Sequence, residues 1–350
     1  RCHAAAAQRT TSAAGSQVDV FAHAAAWQAG RLDEIDTLAA DGVTCTVCHQ
    51  IDRERLGAPE TYSGNFVLAP PLPSGNRRAN GPHPPDAGRV RIMHSVTGVE
   101  QAEAPHIRQS ELCASCHTLI TNALGPKGEV VGSLPEQMTY PEWRHSAQKQ
   151  SCQACHMPAV RGPVRIASVL GQDRDTLARH TFLGGNAFML RMLNRFRVPL
   201  GVQATATELE SNARATTRLL ETETATVAID RADRTGGSLA IDVAIANLTG
   251  HKFPTGYPSR RAWLHVTVRD AAGTIVFESG RVAATGLVEG NDSDASAGVF
   301  EPHYAEITRA DQVQVYESVM GNRGGMPTTG LLDATQYLKD NRLLPAGFDK

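Results

Sequence analysis

One five-residue pattern, Cys-x-x-Cys-His, constrains this chain more than anything else in it. It occurs three times, as Cys45, Cys48 and His49, as Cys113, Cys116 and His117, and as Cys152, Cys155 and His156. This is the attachment signal of c-type haem. Its spacing follows from the chemistry, because two thiols bond to the two vinyl groups on one porphyrin edge and the adjacent histidine lies under the iron as proximal ligand. A zinc ribbon would also use pairs of cysteines, but it gives no reason for a histidine after every pair. Cys2 followed by His3 is what remains of a fourth such motif cut after its second variable residue. All seven cysteines are then assigned as haem attachments, and His3, His49, His117 and His156 as proximal ligands. The cut motif and the missing initiator Met lead us to expect an internal piece of a longer exported protein whose signal lies upstream, since haem c is attached outside the cytoplasm.

Composition matters at two points. Aromatic residues make up only 5% of the 350, a deficit that large flat apolar macrocycles can fill. The formal net charge is -2, which argues against nucleic acid or an anionic membrane surface as partner. No run of apolar residues is long enough to cross a bilayer. No cysteine is left for a structural disulfide, so haem and iron must do the stapling.

Along the chain, residues 17–40 read as a helix with His23 near Trp27. Residues 58–88, rich in Pro, Gly and Asn, read as a loop around a haem edge. A short repeat follows: His106 precedes Cys113 by seven residues and His145 precedes Cys152 by the same seven. A histidine so close to its own motif reaches a neighbouring iron more easily than the far face of its own, which implies stacked, cross-ligated haems. Residues 173–181 and 186–197 read as helices separated by Gly184 and Gly185, with His180 just before the break. Residues 205–221 form a third helix, amphipathic through Leu209, Ala213, Thr216 and Leu220. The period then changes to alternation over residues 224–229, 238–247, 262–269 and 274–278, with 311–319 as a further strand, as in an all-β sandwich. The expected fold class is therefore multidomain α + β. A mostly α or irregular multihaem domain over residues 1–221 precedes a sandwich-like β domain over 222–350 that continues beyond the last residue. His251 lies between two of the expected strands, in a loop with turns fixed by Gly250, Pro254, Gly256 and Pro258.

The stretches SELCASCHTL, PEQMTYPEWRHS, SCQACHMP, HTFLGGNAFMLRML, LTGHKFPTGYPSRRAWLHV and YLKDNRLLPAGFDK together resemble bacterial multihaem cytochromes c of the class described as cytochrome c554-like. The resemblance covers roughly residues 100 to 350. It implies an extracytoplasmic, periplasmic electron-transfer protein with mostly bis-histidine haems and a β domain after the haem domain, and it marks His180 and His251 as distal ligands.

Four irons with closed coordination need four further ligands, and nine histidines remain. His145, His180, His251, His106, His94 and His23 are the candidates, with ordinary core or surface histidines as the alternative. His303, His83 and His265 rank behind them, and His265 is expected to be a strand residue. Met157, next to a proximal histidine, is expected at the haem rim. Arg260, Arg261 and Lys252 are expected near propionates. Asp292, Ser293 and Asp294 have the oxygen density of a weak calcium site but lack the full loop pattern. Two functional classes follow: an electron carrier among redox partner proteins, or a multihaem enzyme with one open iron acting on a small nitrogen or sulfur compound.

Overall fold

The computed structural model describes residues 1–16, 22–169 and 171–349, with the side chains of residues 22–24 left aside. It divides into two compact units, Arg1–His117 with Lys149–Thr216, and Thr118–Gln148 with Thr217–Lys350. The last of these cuts follows Thr216, and the excursion of Thr118–Gln148 into the second unit carries no signal in the sequence.

The first unit is mostly short helices joined by irregular chain. Within the stretch expected as one helix, Gly30 takes a left-handed φ of +63° and separates Ala22–Gln28 from Glu34–Ala40. The second of these helices starts on a reciprocal cap between Asp33 and Asp36. Residues 58–88, expected to be loop throughout, also contain the single turn Pro59–Thr61 and the strand Arg77–Gly81, which pairs in parallel with Val99–Glu103. A parallel pair needs a crossover, and the helix Ala87–Thr97 supplies it. That helix is capped by the Asp86 carboxylate on the Gly88 and Arg89 amides and ended by Gly98 at φ +67°. The expected helix over 173–181 is instead the strand Asp173–Ala178, antiparallel to Ala159–Arg165. Leu177 faces Val160 across the pair, and Arg165 Nε donates to Asp173 Oδ1 at 3.0 Å; this local partner outweighs a weak helical preference. The helices Ala187–Arg195 and Ala206–Thr222 lie within a residue or two of expectation. The unit's apolar cluster is small: Ala5, Val47, Ile51 and Phe66, with Leu56, Leu68, Leu112 and Cys116 against them.

The second unit is built on small sheets, none of which closes into a barrel among the described residues. Its hairpins are Leu119–Leu124 with Val130–Gln137, Ala225–Thr235 with Ser238–Asn247, and Val266–Arg269 with Ile275–Ser279. A three-stranded sheet places Val315–Asn322 between Ala334–Asp340 and Arg261–Trp263. The expected strand over 262–269 is divided between two sheets: Trp263 pairs with Val315, whereas Val266 pairs with Ser279. Five of the eight residues of the central strand are buried, and its Met320 and Val315 anchor two clusters, one with Leu134 and Ala334 and one with Val288 and Val313. The unit also carries the helix Thr139–Arg144, so it is mixed rather than all β.

Candidate haem-attachment sites

Each complete motif forms a single helical turn. Cys45 opens the helix Cys45–Gln50, Cys152 opens Cys152–His156, and Cys113, Cys116 and His117 complete Ser110–His117. On a helix, positions i and i+3 share a face and i+4 lies beside them. The two thiols of each motif therefore stand one turn apart with the histidine next to the first. No disulfide joins any of the seven cysteines.

The rings of His49 and His156 are held by backbone carbonyls. His49 Nδ1 lies 2.5 Å from the Asn80 carbonyl oxygen, and His156 Nδ1 bonds the Leu183 carbonyl oxygen. A metal-binding histidine usually gives its second ring nitrogen to such a partner, which fixes the tautomer and the ring direction. In both cases the nitrogen so tied is Nδ1, so Nε2 is the one that would face a haem iron. The strand that carries Asn80 is itself tied to the motif, since Asn80 Nδ2 donates to the Ile51 carbonyl at 2.9 Å.

Opposite His49 stands His180. Their ring centroids are 6.2 Å apart with the planes tilted by 37°. Two imidazoles on opposite faces of one iron would show about this separation, since each metal–nitrogen bond is about 2 Å and each ring centre lies about 1 Å beyond its nitrogen. Phe182 meets His180 edge-on at 5.9 Å, and it is 55% exposed. Phe188, Val198 and Val96, all in the same unit, are more than 75% exposed. A porphyrin face is the kind of surface that covers such side chains, and the unit's small cluster has no room for them. The residues present thus fit haem c.

The motifs of this unit lie close together. Cys152 N donates to Ser110 Oγ at 3.1 Å, and Gln153 Nε2 donates to the carbonyls of Ile107 and Gln109, so the last motif is fastened to the helix of the one before it. The thiols of Cys113 and Cys152 hydrogen-bond, which together with burial raises the Cys113 thiol well above its usual range. Cys116 is raised too, by a hydrogen bond with Cys2 and by burial. The Gly64 amide donates to the Ser115 carbonyl at 2.7 Å. A Cβ on Gly64, whose φ is +77°, would meet Arg1 Cβ at 2.8 Å and Cys2 Sγ at 3.2 Å, so only glycine fits between these two motifs.

The remaining candidates are placed as follows. His106 is buried with Nε2 2.9 Å from the Ile51 carbonyl oxygen, so the nitrogen left to it is Nδ1. His94 Nε2 is 2.6 Å from Asn76 Nδ2. The side chain of His23 lies outside the described residues, and His3 is exposed. In the second unit, His145 lies 6.3 Å from Phe348 between ring centres, and its carbonyl accepts from the Asp349 amide at 2.9 Å. His251 has Nδ1 2.9 Å from the Lys252 carbonyl oxygen, the same arrangement as in His49. His265 pairs with Glu278 at 3.0 Å and lies in the break between Arg261–Trp263 and Val266–Arg269 rather than on the strand expected for it.

The loop that presents His251 is fixed by a knot of buried charge that the sequence did not suggest. Glu142 accepts from Arg342 Nη1 at 3.0 Å, from the Lys252 amide at 3.2 Å and from Thr255 Oγ1 at 2.6 Å. Arg342 and Lys252 also pair with Asp340, at 2.8 Å and 2.7 Å. Three of the stretches that carry the resemblance, around residues 142, 252 and 340, meet here. Lys252 pairs with Asp340, and Arg261 makes a two-point pair with Asp294 at 2.8 and 3.0 Å. Among the described residues no group of three or more His, Cys, Asp or Glu converges to hold a metal ion.

No protein-family model matches the chain, and no curated protein matches it. Among solved structures it is similar to a penta-heme cytochrome c552 from Thermochromatium tepidum, at 20% identity and a TM-score of 0.48, over 90% of this chain and 65% of that one. Among the described residues no helix is long and apolar enough to cross a membrane.

Proposed function

We propose that this chain is an extracytoplasmic multihaem cytochrome c that passes electrons between redox partner proteins. The observation that carries the reading is the His49 and His180 pair, 6.2 Å apart, on a motif whose proximal ring is already oriented by the Asn80 carbonyl. Haem c supplies one-electron exchange at iron when bound. The chain's own part is to hold it: Cys45 and Cys48 by thioethers, His49 and His180 from the two faces. Two strong imidazoles on one metal leave no position for a substrate and favour transfer without a change of ligands. The same reading extends to His117 and His156 as proximal ligands, to Cys2 and His3 as part of a further site, and to His145 and His251 as distal ligands. Attachment outside the cytoplasm supports a periplasmic location. The hairpins and sheet of the second unit are the parts from which a sandwich-like domain is assembled.

The second reading is an oxidoreductase with one open iron for a small nitrogen or sulfur compound; His106, buried with Nε2 on the Ile51 carbonyl, would offer an iron only Nδ1.

The spectrum of the dithionite-reduced holoprotein, with and without carbon monoxide, separates the two. The carrier reading expects no change in the wild type and a one-haem shift in His180→Ala. A wild-type shift of one haem's amplitude selects the enzyme, and an unchanged spectrum in His180→Ala removes the His49–His180 pairing.

A further inference from the structure

The hairpin Ala225–Thr235 with Ser238–Asn247 owes its turn to Gly236 and Gly237, at φ +59° and +87°, the backbone a two-residue hairpin loop requires. Among the described residues it is a two-stranded sheet that no third strand joins. Every residue from Thr226 to Thr235 is exposed. One face carries Val227, Ile229, Leu239 and Val243, exposed by 66%, 67%, 47% and 38%. An open strand edge beside exposed apolar side chains is a template for pairing with another strand, and two strands alone are marginally stable.

The charges on that edge say which strand. Asp230, Arg231, Asp233 and Arg234 are disposed about Ala232 so that the sign inverts on reversal. An identical strand laid antiparallel about a two-fold axis at Ala232 sets Asp230 opposite Arg234 and Arg231 opposite Asp233. Sliding it by one residue either way sets Asp230 against Asp233 or Arg231 against Arg234. Sliding it by two sets Arg231 or Asp233 against itself. Among registers shifted by up to two residues only the one centred on Ala232 avoids like charges, which are unfavourable when directly opposed, and a shift of three keeps only half of its opposite-charge pairs. Arg231 already pairs within its own chain with Asp242 at 2.7 Å and Asp233 at 3.0 Å. Among the described residues neither Asp230 nor Arg234 is in an ion pair. A strand edge that only needed protection would be served by charges of one sign.

We propose that the Ala225–Thr235 edge is a homodimer interface, in which two copies of this chain pair these strands antiparallel about Ala232 and form one four-stranded sheet. The contact is isologous, so each Asp230–Arg234 pair occurs twice. It is independent of the haem reading.

Sedimentation of the haem-loaded chain over a range of concentrations tests it, with haem absorbance and circular dichroism reporting that each variant is folded. The wild type should be a dimer that weakens with salt. Arg234→Asp should raise the dissociation constant by roughly tenfold or more, because two like-charge oppositions replace two pairs. The swap Asp230→Arg with Arg234→Asp should restore the dimer. A monomeric wild type overturns the proposal and leaves the charges as edge protection. An Arg234→Asp dimer of unchanged strength, or a swap that fails to restore association, overturns it as well.

Discussion

The two units of this chain are held together by different means. In the first, the apolar cluster has four buried members, the sheets have two strands each, and large apolar side chains such as Phe188 and Val198 are 76% and 82% exposed. In the second, a central strand buried along most of its length carries two clusters, and a charged knot ties three distant segments. The difference teaches where stability resides. A unit with so little side-chain interior is one that the proposed haems would complete, as small metal-bound domains fold on their metal, whereas the other has its core in its own residues.

The largest expected effect breaks the first unit alone. Cys113→Ser with Cys116→Ser removes the attachment that lies beside both Cys152 and Cys2. The pyridine haemochrome assay should lose one haem per chain, and amide exchange should speed up through residues 1–117 and 149–216. Protection of residues 315–340 should be retained. Loss of protection in both units together would erase the contrast.

The next effect is the mirror image. Glu142 is 4% and Arg342 11% exposed in their side chains, and removing one partner of a buried pair strands the other. Glu142→Leu should destabilise the second unit by about 3 kcal/mol, read as faster exchange in the Ala334–Asp340 strand, with haem content unchanged. Glu142→Leu with Arg342→Met should cost clearly less than the single change, because no charge is then left buried alone.

How far the sequence reveals these two regions differs in the same way. The candidate attachment residues of the first unit stand out in the sequence, because thioether chemistry calls for a contiguous motif. The elements between them are less so: residues 173–181 look helical and are a strand, because the deciding partner, Val160 for Leu177, is far from them in pattern. The Asn80 and Leu183 carbonyls that orient His49 and His156 leave no trace in sequence, since any residue has a carbonyl. In the second unit, alternation finds Ser238–Asn247 to the residue. It misses Leu119–Leu124 and Val130–Gln137, short and interrupted by Gly132 and Pro135. The Glu142 knot is invisible because its members lie up to 200 residues apart and each alone reads as a surface charge.

The smallest effect sharpens the comparison through pH. Burial opposes ionisation of Asp340, but hydrogen bonds and charge from Arg342 and Lys252 outweigh it and hold the carboxyl at about 2, against about 3.9 for a free aspartate. A depressed carboxyl binds its proton less readily in the folded chain than in the unfolded one. Between those two values the unfolded chain therefore holds more protons, and acid favours unfolding. The stability this group contributes is whole above pH about 4 and is lost as the pH falls toward about 2. Because the side chain keeps some solvent contact, 24% of its surface, the amount is about 1 kcal/mol after screening. Asp340→Asn removes the titrating group. The difference in second-unit stability between wild type and this variant should hence be constant above pH about 4 and shrink below it. It should be followed by exchange in the Val315–Asn322 strand at matched pH. A difference that grows as the solution is acidified would mean that Arg342 and Lys252 do not favour the charged carboxylate, and that the knot contributes shape to the His251 loop rather than stability to its unit.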